Sequence, residues 1–116
     1  VKAVSGLEQA KQWQAALAGY NTALARWPES LGAGIGLGNV YYALWDLPAA
    51  EHALRRTIVH SPEAGAAYNN LAQVLWDQGR RPEALEAANT AVDLGGPMAH
   101  LYQKTLDEIL SGGDTP

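Results

Sequence analysis

Ala16, Ala50 and Ala84 stand 34 residues apart, and the residues around them keep the same interval. Leu7, Tyr41 and Leu75 share it, as do Ala23, Thr57 and Ala91, and Trp27-Pro28 is answered one period later by Ser61-Pro62. A fixed period of roughly 20–50 residues is the mark of units that stack side by side, each burying its apolar face against the next. A chain of 116 residues built this way is one domain whose core lies between neighbours. The net charge of −4 and a pI near 5.2 exclude the basic footprint that nucleic acid or an anionic membrane surface requires. No apolar run is long enough to insert in a bilayer, and nothing at the start reads as a signal peptide. The sequence opens on Val1 in mid-period, so a preceding segment is expected. With no cysteine, disulfides, thiol nucleophiles and cysteine metal sites are excluded. Richness in Ala and Gly without Phe points to a GC-rich bacterial genome.

The third period carries the clearest signature. Tyr68-Asn69-Asn70-Leu71-Ala72 leads to Leu75, then to Ala84, Ala88 and Ala91, and Gly95-Gly96-Pro97 closes the unit. The second gives Leu37-Gly38, Tyr41, Ala50, Leu54, Thr57 and Pro62, and the first keeps Leu7, Ala16, Tyr20, Ala23 and Pro28. These positions resemble the tetratricopeptide (TPR) pattern W-x2-L-G-x2-Y, A-x3-F and a closing P over nearly the whole chain. It departs at Gly34, which stands where the large opening aromatic is expected. The resemblance implies an all-α solenoid, a right-handed superhelix of antiparallel helix pairs with a C-terminal capping helix. The expected division is a single domain over 1–116: a truncated repeat 1 (1–30), repeat 2 (31–64), repeat 3 (65–97), a capping helix (98–111) and a tail (112–116).

Local signals predict seven helices, at about 2–10, 14–26, 32–44, 48–60, 65–77, 82–94 and 98–111. Pro48 and Pro82 open second helices, where a missing N–H is harmless, and Gly79 and Gly95-Gly96 follow helix ends. Ser30 and Ser61 read as N-caps. Leu101, Tyr102, Thr105, Leu106 and Ile109 form one apolar stripe on the last helix. Gly32, Gly34, Gly36 and Gly38 run against their helix, each costing roughly 1 kcal/mol relative to alanine. They do not make a phosphate loop, because Leu37, Asn39 and Tyr41 occupy the places of its third glycine. They point to close helix packing and a soft helix, with Trp13 or Trp27 filling the gap at Gly34.

Catalytic chemistry has little to stand on, and no cofactor motif is present. His52 and His60 are eight residues apart on one helix, too far to share an ion, and no carboxylate has metal-pair spacing to them. Glu51 and Arg55 form an i,i+4 pair, worth a few tenths of a kcal/mol. Arg55-Arg56 and Arg80-Arg81 are small basic doublets that read as solvated faces.

The resemblance implies that the first helix of each repeat lines a concave groove. The matching positions are Glu8 and Gln9 in repeat 1. Repeat 2 supplies Ile35, Asn39, Tyr42 and Ala43, and repeat 3 supplies Ala66, Asn69, Gln73, Trp76 and Asp77. Gln103 and Asp107 follow on the cap. Asn39 matches an Asn of the family's clamp for a peptide C-terminal carboxylate, but Asn69 and Gln73 stand where Lys and Arg are expected. The expected function is therefore a non-catalytic module that binds a peptide or helix of a partner protein without a carboxylate clamp. Tyr41 and Tyr68 are expected inside. Tyr42, about 100° round the helix from Tyr41, and Trp76 beside Leu75 then look toward the groove. The whole sequence is also similar to TPR tails of papain-like cysteine peptidases of the bacterial envelope, which keeps open a regulatory or substrate-docking domain of a larger enzyme. Self-association through an open end is a third possibility, and either bacterial cytoplasm or cell envelope is compatible.

Overall fold

The structure, a computed structural model, describes residues 2–112, with side chains from Gln9 onward. The described residues form six helices and no strand: α1 (Lys2–Arg26), α2 (Leu31–Ala43), α3 (Leu47–His60), α4 (Gly65–Asp77), α5 (Arg81–Leu94) and α6 (Ala99–Leu110). Helices α2, α4 and α6 contact one another in order as one layer, and α3 and α5 pack between and behind them. Among the described elements the backbone of α1 approaches α2 alone.

Six helices replace the expected seven because residues 2–10 and 14–26 belong to one continuous helix. The reason is local. The turns inside repeats 2 and 3 carry Trp45 or Gly79 in the left-handed region, followed three residues on by Pro48 or Pro82. The equivalent residues of repeat 1 are Lys11 and Gln14, both good helix formers, and nothing there breaks the helix. One consequence falls on Ala16. Ala50 and Ala84 are fully buried against their paired helices, whereas Ala16 is half-buried because no helix folds back over it. Leu7 and Glu8 lie outside the described side chains.

Caps and turns set the remaining boundaries. The Ser30 hydroxyl accepts from the amide of Ala33 at 3.2 Å and the Asp46 carboxylate from that of Ala49 at 3.2 Å, starting α2 and α3. Ser61 is not an N-cap: it ends α3, its amide donating to the Thr57 carbonyl, and α4 begins after Ala64 without a side-chain cap. The four residues between the helices, 61–64, make a turn, closed by Ala64 N–H on the Ser61 carbonyl at 3.0 Å.

The glycines of α2 are packed, each against a different neighbour. A Cβ at Gly34 would lie 2.2 Å from Thr57 Oγ1, at Gly36 2.4 Å from the Tyr20 ring, and at Gly38 2.8 Å from Leu54. Gly32 has nothing within 4 Å. Thr57, not Trp13 or Trp27, fills the space at Gly34, and Trp27 is 53% exposed beneath the Arg26 guanidinium. The sizes have been exchanged between helices: repeat 2 pairs Gly34 with Thr57 where repeat 3 has Tyr68 and Ala91.

The main core joins Leu47, Ala50 and Leu54 of α3, Leu71, Ala72 and Leu75 of α4, Ala84 and Ala88 of α5, and Leu106 and Ile109 of α6. Leu24, Ala33, Leu37 and Ala53 form a smaller core under α1. On α6, Tyr102, Thr105, Leu106 and Ile109 are buried, but Leu101 is exposed. The Arg81 guanidinium donates to the carbonyls of Ile109 and Leu110 at 3.2 and 3.0 Å, satisfying the C-terminus of α6.

Candidate functional site

The face shared by α2, α4 and α6 holds the candidate groove residues. Tyr42 on α2 is half-buried against the main core and donates its hydroxyl hydrogen bond to the Asp77 carboxylate on α4. Burial first, then the hydrogen bond and charge of Asp77, push the Tyr42 phenol up to about 12. A second link runs between the same helices: Asn70 Nδ2 donates to Asn39 Oδ1 at 2.9 Å. Trp76 occupies the register of Tyr42 one repeat later and is likewise half-buried against the core. Gln73 on α4 is exposed, Ile35 is half-buried, and Gln103 is exposed but donates to Asp107 of its own helix at 2.9 Å. Gln9, Ala43 and Asp107 are exposed, and Ala66 is half-buried.

One expected groove residue is elsewhere. Asn69 is only 9% exposed, and its Oδ1 is buried without a hydrogen-bond partner. Its register matches Ile35, which is half-buried on α2.

Trp45 was not anticipated. It is 63% exposed, holds a φ of 61°, and packs its ring 5.9 Å from that of Tyr42 at a 38° tilt. A bulky residue in the left-handed region is strained, and such strain gathers at functional sites. The sequence did carry a signal: Trp45 stands one period before Gly79, where a helix end prefers glycine. Tyr42, Trp45 and Trp76 thus give the face three aromatic side chains near the C-terminal ends of α2 and α4.

The opposite face carries charge and two related grooves. Glu51 accepts from Arg55 at 2.8 Å and from Arg80 at 2.7 Å, and Glu83 takes two bonds from Arg80 and lies 3.7 Å from Arg55. The expected i,i+4 pair is therefore one edge of a closed four-residue ring joining α3 to the start of α5. Burial raises the Glu51 carboxyl, but the bonds from Arg55 and Arg80 outweigh it and hold the group below its ordinary value. Arg80 lowers Glu83 in the same way. The ring spans a groove lined by Arg55, Leu71, Leu75, Glu83, Glu86 and Thr90. Between α1 and α3 lies a cavity of about 160 Å³ whose walls include Leu24, Leu37, Tyr41 and Ala53, with Ala49, His52, Arg56 and His60 along α3. No group of acidic and histidine residues suited to a metal ion is present among the described residues. Nor is any described helix long and apolar enough to cross a membrane.

A helix-pair solenoid with a 34-residue period is a defined class. The tetratricopeptide repeat family profile matches residues 35–99, more than half of the chain, and the protein belongs to that family. Solved structures with the same fold include the yeast Sti1 TPR2B domain in complex with pHsp70, at a TM-score of 0.81 and 18% identity. That match covers 93% of this chain and 90% of that one. The first TPR of Spaghetti (RPAP3), bound to the HSP90 peptide SRMEEVD, gives 0.80 and 16%, covering 96% and 86%. The Yersinia enterocolitica type III secretion chaperone SycD, in complex with a peptide of the translocator YopD, gives 0.79 and 15%, covering 96% and 89%. Among curated proteins none matches the chain.

Proposed function

We propose that this chain is a non-catalytic interaction module that binds a peptide or helix of a partner protein along the face of α2, α4 and α6. The reading rests above all on Tyr42 and Trp76, half-buried aromatics at the same register of consecutive first helices. Asn39, Gln73 and Gln103 stand with them, and Ile35 and Asp77 complete the set. Aromatic rings hold apolar side chains at low entropic cost, and amides meet a peptide backbone in either direction. The structural neighbours in complex with pHsp70 and with HSP90 and YopD peptides support peptide binding as the use of such a face. The face supplies no Lys or Arg at the clamp positions, so recognition runs along the peptide and not through its terminal carboxylate.

The test uses peptides selected from a displayed random library against the intact chain, followed by calorimetry. Trp76→Ala should weaken a selected peptide by about 2 kcal/mol or more, as loss of an aromatic anchor does. Because Trp76 also packs on the core, the exposed Gln73→Ala serves as the second variant, weakening binding without lowering the melting temperature. Amidating the peptide C-terminus and raising salt should change affinity little. A steep salt dependence, or affinity lost on amidation, overturns the reading in favour of a carboxylate clamp.

A further inference from the structure

The two grooves on the opposite face are the same feature one repeat apart, and they carry their charge differently. Advancing Asn21, Leu37, Tyr41, Ala49, His52, Ala53 and Arg56 by 34 positions gives Arg55, Leu71, Leu75, Glu83, Glu86, Ala87 and Thr90. In the α3–α5 groove the cation is answered from within, since the Glu83 carboxylate lies 3.7 Å from Arg55. In the α1–α3 groove Asn21 stands in the place of Arg55, Ala49 in that of Glu83, His52 in that of Glu86 and Arg56 in that of Thr90.

Arg56 has no counterpart cation, because Thr90 stands at its register in the other groove. Among the described residues Arg55 and Arg80 share the ion ring, Arg81 caps α6, and Arg26 lies 4.9 Å over Trp27. Arg56 lines the cavity and takes part in none of the ion pairs, hydrogen bonds or ring contacts. Glu29, the one acid on the rim, is in no ion pair either. His52 and His60 flank Arg56 at four-residue spacing, so donors line one wall of the cavity. Below them Leu24, Leu37, Ala53 and Tyr41 form an apolar floor. The volume of about 160 Å³ is close to the roughly 150 Å³ that accommodates a benzene ring.

We propose that the α1–α3 groove binds a small organic carboxylate with an apolar body, its ring or chain on the Leu24–Leu37 floor and its carboxylate on Arg56. The bound carboxylate answers Arg56, a cation that the counterpart groove replaces with Thr90. A charge-assisted bond from a guanidinium supplies the orientation, and the apolar floor selects against bare anions.

Benzoate is the probe, with benzyl alcohol as its uncharged counterpart and acetate as its ringless one, followed by amide NMR shifts on the intact chain. Benzoate should move resonances of residues 21–30 and 49–60, and both controls should bind at least about tenfold more weakly. Arg56→Gln should weaken benzoate by about tenfold or more. Ala49→Glu places a carboxylate on the cavity wall in the first turn of α3, where a negative charge suits the helix N-terminus and repels a bound anion. It should abolish benzoate binding while leaving the thermal melt intact. Equal affinity for benzyl alcohol, benzoate binding unchanged in both variants, or shifts confined to α2, α4 and α6 would each overturn the assignment.

Discussion

The phenol of Tyr42 donates its hydrogen bond to the carboxylate of Asp77, tying α2 to α4 across the candidate peptide-binding face. Burial and this partner raise the phenol from its ordinary 10.0 to about 12. The raised value fixes the sign of the pH dependence. The bond's stabilisation is fully present below the ordinary phenol value and is lost as pH rises through about 12. Ultraviolet titration should therefore find one tyrosine that resists ionisation until about 12. Asp77→Ala, which leaves no acceptor, should bring that tyrosine down and cost about 1 kcal/mol at neutral pH, the net worth of one hydrogen bond. Five tyrosines titrating together in the native protein would show that the bond does not form in solution.

The glycines of α2 make a graded series. Gly32→Ala meets nothing within 4 Å and should gain up to about 1 kcal/mol from the reduced freedom of the unfolded chain. Gly38→Ala drives a methyl group into Leu54, which is 1% exposed and has nowhere to move. It should lose about 1–3 kcal/mol, the usual cost of overpacking. Gly36→Ala meets Tyr20, whose ring is half-buried and can swing outward, so its loss should fall between the other two. Urea denaturation of the three variants checks the order, and a Gly36→Ala protein more stable than the parent would show that Tyr20 does not pack on α2.

Trp45 separates stability from use. Its left-handed backbone costs roughly 1–2 kcal/mol in a residue with a side chain, whereas glycine adopts that conformation freely. Trp45→Gly should raise the denaturation midpoint even though the ring contact with Tyr42 is lost. The same change should weaken a peptide selected on this face. A lower midpoint would mean that the Tyr42–Trp45 contact outweighs the backbone strain, and an unchanged affinity would remove Trp45 from the groove.

These cases mark where sequence was informative. The 34-residue recurrence, the helix-opening prolines and the fully buried Ala50 and Ala84 made the repeat fold legible, because periodicity records which faces are buried. Ala16 shares that period but not the burial, since burial depends on a second helix that residues 2–26 do not form. The one-residue offset of Tyr42 from Tyr41 and of Trp76 from Leu75 is legible in the sequence. The burial of Asn69 is not, because its chemistry suggested a surface. The partners of Gly34 and Gly36 come from other helices, and no local rule names them.

The ion ring extends the same point to pH. Spacing along α3 reveals Glu51 with Arg55, but Arg80 and Glu83 join only through the fold. Both carboxyls are held below their ordinary values, so their contribution is present above the unfolded-state value and is lost as pH falls through the folded one. That places the loss below about pH 4.3, the usual glutamate range. Glu51→Gln should accordingly melt below the parent at neutral pH, with the gap closing as the solution is acidified past this range. High salt should narrow the neutral-pH gap as well, because Glu83, Arg55 and Arg80 are open to solvent. Thermal melts of both proteins across the acid limb decide it. A gap that stays constant from neutral to acidic pH would mean that Glu51 acts through packing against α3 and α5, and that the ring carries no stabilising charge.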